Sequence, residues 1–143
     1  ALKLVYLSAD YIAGYWTRIY PLLARSTLVL FDRYYHDLLV DPARYRFGSC
    51  RGMAALVGKI LPRPDLWVFL DGPAETLHQR KQEVALVETE RQRNAYLELA
   101  AEVPHSAVVD ASGKLEDVVA NVEKRILETL AAQTARRHSK FRR

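Results

Sequence analysis

Residues 66–71 read Leu-Trp-Val-Phe-Leu-Asp, an unbroken apolar run that closes on a carboxylate. Continuous apolar runs of this length are typical of strands buried on both faces, as in parallel sheets. Residues 27–32 (Thr-Leu-Val-Leu-Phe-Asp) and residues 107–110 (Ala-Val-Val-Asp) have the same form. The sequence therefore predicts buried strands over residues 27–31, 66–70 and 107–109, each followed by an aspartate.

Stretches with helical spacing of apolar residues separate these runs. They predict helices over residues 4–23, 48–60, 73–83, 84–101 and 115–130. Pro21 is expected to end or bend the first helix near Tyr20, and Pro73 suits a first helical position. The alternation of helices and strands predicts an α/β domain, a parallel sheet with flanking helices.

Length and charge narrow the class of protein. The 143 residues, half of them hydrophobic, suffice for one domain, expected over residues 1–135 with a basic tail over 136–143. The net charge is +4, but five cations lie in the last eight residues and the remainder sums to −1. A nucleic-acid-binding body is therefore not indicated.

Cysteine usage and hydropathy exclude further classes. Cys50 is the only cysteine, which rules out a disulfide framework and a thiolate metal site and fits a cytoplasmic protein. No apolar run approaches the roughly 18 residues of a membrane span, and no signal peptide is recognisable. Because Ala1 leads straight into a predicted helix without an initiator Met, the chain is expected to begin inside a larger protein.

Aspartates follow all three predicted strands, at positions 32, 71 and 110. Ligands of open parallel sheets bind beyond the carboxyl ends of the strands, so these side chains are candidates for chemistry, although such acids can also merely cap the next helix. Arg33 directly after Asp32 favours chemistry there. The acid can orient the water shell of a metal ion while the guanidinium grips phosphate oxygens.

Several short motifs, in this order along the chain, resemble those of thymidylate kinases. Residues 32–34 (Asp-Arg-Tyr) look like the family's DRY-type motif, and residues 93–100 (Arg-Asn-Ala-Tyr-Leu-Glu-Leu-Ala) resemble its R-x-x-Y-L-x-L-A helix. The other matching segments are residues 7–10, 21–25, 64–71, 73–75 with Arg80, and 109–112. The resemblance covers nearly the whole chain and implies a P-loop kinase-like three-layer sandwich.

The resemblance also implies roles for the residues that match. On the acceptor side, the catalytic residues would be Asp32, which helps to order Mg²⁺, and Arg33, which binds the acceptor's phosphate. The other acceptor-binding residues would be Asp10, Tyr11 and Tyr34. On the nucleotide side, the catalytic cation of a lid would be Arg80, with Lys81 beside it. The loop Ala111-Ser112-Gly113 would lie along the adenine of ATP. The implied reaction moves the γ-phosphoryl of Mg·ATP to a deoxynucleoside monophosphate, and the implied assembly is a homodimer.

The chain departs from the family pattern in its phosphate cradle. No G-x-x-x-x-G-K-[ST] loop is present; Gly52, Gly58 and Lys59 come closest, with spacing one residue too long and Ile60 in place of the hydroxyl. The first strand and its P-loop are therefore expected upstream of Ala1. Their absence would leave two strands facing an unfilled slot in an incomplete fold, and this chain inactive by itself.

The acceptor side departs as well. Tyr11 stands where the family usually has Arg, Leu7 where it has a base-stacking aromatic, and residues 35–38 (Tyr-His-Asp-Leu) replace small and amide residues. Tyrosines here could stack on a base or sugar, or simply pack between helices. Two alternatives therefore stay open: a kinase for another small-molecule acceptor, and a non-catalytic kinase-like interaction domain.

Overall fold

The computed structural model describes residues 2–41, 51–80 and 84–141 and shows a mixed α/β protein. Its contacts divide the chain into two compact units, Ala1–Arg63 and Pro64–Arg143. The division into a domain over residues 1–135 and a basic tail stays a prediction. Among the helices described, none combines the length and the apolar character that crossing a bilayer requires.

A long helix opens the first unit, as predicted for residues 4–23. It consists of α1 (Leu2–Gly14), a π-helical turn (Tyr15–Ile19) and α2 (Tyr20–Ala24), which continue into one another. The wider turn lies directly before Pro21 and closes with the Tyr20 N–H donating to the Tyr15 carbonyl. Proline has no N–H to offer the preceding turn, and a π-turn accommodates that loss without ending the helix.

The long helix ends at a left-handed residue. Ser26 has φ of 58°, its N–H donates to the Leu23 carbonyl at 2.9 Å, and the Thr27 N–H donates to the Leu22 carbonyl at 3.0 Å. These paired bonds form a Schellman motif, which satisfies carbonyls that the last helical turn leaves open. The chain therefore leaves the helix at Arg25 rather than at Pro21.

The prediction of a strand over residues 27–31 is wrong. Residues 27–31 have no regular secondary structure and pair with no strand in the part of the chain that the structure describes. Leu28 is 55% exposed and Leu30 is 74% exposed, so this run is not buried on both faces. Apolar composition alone does not make a strand, because the ladder of hydrogen bonds requires a neighbour.

The core of the first unit gathers around Tyr35, which is 0% exposed. Helices α3 (Asp37–Val40) and α4 (Arg51–Ile60), with Leu61 directly after α4, supply the other buried residues of the cluster, and Leu7 and Tyr11 of α1 pack against it. The four-residue α3 was not predicted. Helix α4 confirms the described part of the helix predicted over 48–60; residues 48–50 lie outside the described residues.

The second unit contains the sheet. Strands β1 (Trp67–Asp71) and β2 (Ser106–Asp110) are parallel neighbours, with Trp67 opposite Ser106 and Asp71 opposite Asp110. Both confirm predicted strands to within two residues. Helices α5 (Ala74–Arg80) and α6 (Leu86–Glu102) connect them, so the two aspartates meet at one edge of the sheet.

Helix α7 (Leu115–Phe141) packs on β2 through Val118 and Val122, which contact the buried Val109 and Ala111. It runs eleven residues beyond the end predicted at 130 and enters the basic tail. Residues 131–141 contain no Gly or Pro, and the hydroxyl of Thr134 bonds to the Leu130 carbonyl one turn back. Without a residue that breaks the helix, the tail continues it.

Candidate functional site

Arg33 holds an unusual backbone conformation shortly after the apolar run 27–31. Its φ is 59°, in the left-handed region that non-glycine residues rarely adopt. The Tyr11 hydroxyl, on the half-buried face of α1, donates to the Arg33 carbonyl at 3.4 Å. Such a conformation costs free energy and persists where the surroundings impose it, most often at functional sites.

The guanidinium of Arg33 is paired with a buried carboxylate. Its Nη1 donates to Oδ2 of Asp37 at 3.5 Å; the Asp37 side chain is 4% exposed and that of Arg33 is 38% exposed. Asp37 is the first residue of α3, and its N–H donates to the Tyr34 carbonyl. No sequence pattern indicated that Asp37 is a site residue, except that it lies in residues 35–38, which depart from the family motif.

Tyr11 and Tyr34 lie beside this pair and pack edge-to-face, with ring centroids 6.2 Å apart. Burial, followed by the neighbouring Tyr15 and Tyr11, raises the pKa of Tyr34 to about 12. Its hydroxyl donates to the Pro62 carbonyl. Burial also raises the pKa of Tyr11, and the carboxylates of Asp37 and Asp10 add to that effect. The tyrosines are therefore neutral, and their rings pack within the protein.

Asp32 and Asp10 are the exposed acids of this region. Asp32 directly precedes Arg33, and Asp10 lies on α1 one residue before Tyr11. Within the described ranges no group of three or more His, Cys, Asp or Glu side chains could enclose a metal ion. A single exposed carboxylate nevertheless suits Mg²⁺, which keeps several waters and commonly takes one or two carboxylates plus substrate phosphates.

In the second unit, the carboxylate of Asp71 at the end of β1 is clamped by Arg93 of α6. Nε donates to Oδ1 at 2.6 Å and Nη2 to Oδ2 at 2.8 Å, a bidentate pair. The hydrogen bond from Arg93 is the main reason that the pKa of Asp71 lies below its usual value. Asp71 therefore neither caps a helix nor stands open at the rim. Sequence reasoning quoted Arg93 within a motif but did not foresee this partner.

The predicted adenine loop follows β2. Oδ1 of Asp110 accepts from the Ser112 N–H at 2.8 Å, and this contact helps to lower the pKa of Asp110. The N–H of Ala111 donates to the Asp71 carbonyl at 2.6 Å, and Ala111 is buried while Gly113 is exposed. Asp110 thus holds the turn that follows β2, ahead of α7 rather than as a cap on that helix, and the loop is tied to the end of β1.

A shallow polar cavity lies next to the Asp71–Arg93 pair. Its lining residues are Pro73, Ala74, Glu75, Glu90, Arg93 and Asn94. Of the predicted lid cations, Arg80 is the last residue of α5 and its side chain is outside what the structure describes, and Lys81 lies outside the described residues. Their roles stay predictions.

Comparison with known proteins finds similar chains among the curated proteins. No protein-family model matches the chain. The chain is 31% identical over 112 residues to a protein of Pyrococcus horikoshii described as "Probable thymidylate kinase", a match that covers 73% of this chain and 54% of that protein. The chain thus spans about half the length of the curated relative it matches. This similarity agrees with the motif resemblance and supports a kinase-like relationship.

Proposed function

We propose that the protein is an ATP-dependent phosphotransferase that moves the γ-phosphoryl group of Mg·ATP to a deoxynucleoside monophosphate. The observation that carries the proposal is the similarity over 112 residues to a probable thymidylate kinase. The parallel β1–β2 pair and its helices suit a P-loop kinase sandwich, which we propose as the fold of the intact protein. A homodimer belongs to the same proposal.

On the acceptor side, Arg33 would bind the phosphate of the monophosphate acceptor. The left-handed backbone of Arg33 and the hydrogen bond from Tyr11 to its carbonyl fix the position from which the Arg33 side chain extends. Tyr11 and Tyr34 would form one wall, since their rings are packed and their hydroxyls stay protonated. Asp10 and Asp32 remain accessible, so Asp10 could accept a hydrogen bond from a sugar or base while Asp32 meets the metal's water shell.

On the nucleotide side, Ala111, Ser112 and Gly113 would lie along the adenine. The Asp110–Ser112 turn and the Ala111–Asp71 hydrogen bond hold this loop before any ligand arrives, which reduces the ordering cost of binding. Arg80, the last residue of α5, and Lys81, the residue after it, would approach the transferring group. Mg²⁺ bound with ATP would neutralise part of the phosphate charge, and Asp32 would help to order that ion.

The proposed chemistry is positioning and charge neutralisation, without a covalent enzyme intermediate. An oxygen of the acceptor's phosphate forms a bond to the γ-phosphorus. The bond from that phosphorus to the β,γ-bridging oxygen breaks, and ADP leaves. Because a phosphate dianion carries no proton on the attacking oxygen, no general base is required. Arg33 holds the acceptor, and Arg80 would offset the charge that builds on the transferring group.

The test is phosphoryl transfer by the protein in its full natural length, with Mg·ATP and a panel of nucleosides and nucleoside monophosphates. We expect ADP and a nucleoside diphosphate, and we expect Arg33→Ala to lower kcat/KM by at least about a hundredfold while circular dichroism stays unchanged. Arg18→Ala, an exposed cation of the π-helical turn in the same unit, is the matched control. Transfer at the wild-type rate by Arg33→Ala would remove the role assigned to Arg33.

A further inference from the structure

We propose that Asp37 sets the selectivity of the acceptor site by weakening the hold of Arg33 on a phosphate dianion. The inference rests on the proposed function, in which Arg33 meets the acceptor's phosphate. Asp37 is then a specificity-determining residue. Its buried negative charge weakens the binding of acceptors that place a phosphate dianion on Arg33, relative to acceptors that carry no charge.

The geometry makes the pair an intrinsic part of the site. Asp37 is fixed by its place at the start of α3 and is almost wholly buried. Arg33 is fixed at its backbone by its left-handed φ and by the bond from Tyr11. The Arg33 backbone and the Asp37 carboxylate are thus both held in place, and Nη1 of Arg33 lies 3.5 Å from Oδ2 of Asp37. A ligand that binds the guanidinium would therefore meet a cation whose charge already interacts with a carboxylate.

The sign of the effect follows from Coulomb's law. A phosphate on the guanidinium would lie about 6 Å from the Asp37 carboxylate, across the width of the fork, where the repulsion of like charges near a protein surface is still large. Solvent and salt screen a buried charge less than an exposed one. Loss of the Asp37 charge should therefore tighten phosphate binding, about tenfold or more, although it also loosens one contact of Arg33.

A second observation points to the same negative potential. Both Asp37 and Asp10 act on the Tyr11 hydroxyl, and each raises the pKa of that phenol. Of these two acids, Asp10 is exposed and Asp37 is buried. The buried carboxylate therefore acts both on the Arg33 guanidinium and on the Tyr11 hydroxyl.

The experiment compares dTMP with thymidine as ligands of the wild-type protein and of Asp37→Asn, in the full natural chain, by calorimetry. We expect Asp37→Asn to lower the Kd of dTMP about tenfold and to leave the Kd of thymidine unchanged. Asp37→Glu should keep wild-type selectivity, and Asp41→Asn, one helical turn further on, is the control for a carboxylate outside the pair. Asp37→Ser serves if Asp37→Asn does not fold.

A double-mutant comparison separates selectivity from mere structural support. In an Arg33→Ala background, Asp37→Asn should no longer change the ratio of the two Kd values, because Asp37 acts through Arg33. Weaker dTMP binding by Asp37→Asn, an unchanged ratio, or no detectable dTMP binding by either protein would each overturn the inference. A protein that transfers no phosphoryl group but shows the predicted change in binding would overturn the proposed function alone.

Discussion

Tyr35 supports the acceptor side of the candidate site, because its ring fills the centre of the core of the first unit between α1, α3 and α4. The side chain is 0% exposed, and its neighbours in the cluster include Leu38, Ala54 and Leu61. Tyr35→Ala deletes this ring from a packed core, a change that costs about 3–5 kcal/mol in well-packed proteins. That is a large share of the total stability of a typical domain, about 5–15 kcal/mol.

The hydroxyl of Tyr35 contributes a smaller part, which a second variant isolates. Its oxygen lies 3.3 Å from Oγ of Ser8, which is also buried. Tyr35→Phe keeps the ring and loses only this hydrogen bond, so we expect a cost of about 1 kcal/mol. Tyr6→Ala, a tyrosine of α1 that is 70% exposed, is the control and should lie within about 0.5 kcal/mol of wild type.

Urea unfolding, followed by far-ultraviolet circular dichroism, measures all three variants. With slopes of about 1–3 kcal/mol per molar urea, Tyr35→Ala should lower the midpoint of the first unit's transition by at least about 1 M. A loss below about 1 kcal/mol for Tyr35→Ala, or a loss equal to that of Tyr6→Ala, would refute the reasoning. Either result would mean that the ring is not packed in a core and that the site beside it lacks this support.

Three other predictions concern single groups. The phenol of Tyr34 should titrate near pH 12 in ultraviolet difference spectra, and Tyr34→Phe should remove that late step; a phenol that titrates near 10 would contradict its burial. Gly14→Ala should stabilise the protein by about 0.5–1 kcal/mol in thermal unfolding, because Gly14 has helical φ and ψ and an added Cβ meets nothing within 4 Å. The lowered pKa of Asp71 means that the Arg93 pair stabilises above the ordinary carboxyl pKa and that this stabilisation is lost as the pH falls through the folded value. Asp71→Asn should therefore flatten the acid side of the urea midpoint profile, and a profile that keeps its slope would argue against the pair.

Local patterns predicted those elements whose stability is local or whose burial is complete. Strands β1 and β2 were predicted because their apolar runs have no alternation, and the long helix because its apolar stripe has helical spacing. Residues 27–31 form an apolar run similar to that of β1 and yet form no strand, because strand pairing depends on a neighbouring strand, which a local sequence pattern does not reveal. The four-residue α3 is too short to show any period.

The residues of the candidate site likewise differ in whether the sequence alone could predict them. The pattern singled out Asp32 and Arg33 because acid and guanidinium follow one another at the end of an apolar run, and the family resemblance added Tyr34. The pairing of Asp71 with Arg93 spans 22 residues and needs α6 folded back on β1. The left-handed φ of Arg33 and the burial of Asp37 accompany contacts between residues far apart in the chain, such as the hydrogen bond from Tyr11 to the Arg33 carbonyl. A residue pattern carries no signal for either.

The measurement that tests the central claim most directly is the transfer of labelled γ-phosphate from Mg·ATP to dTMP by the full natural chain, read by separating the nucleotides. The account predicts labelled dTDP with equimolar ADP, and its loss in Arg33→Ala but not in Arg18→Ala. A folded, ATP-binding protein that labels no nucleotide, nucleoside or other small acceptor would contradict the phosphotransferase assignment and favour a kinase-like domain that binds a partner instead.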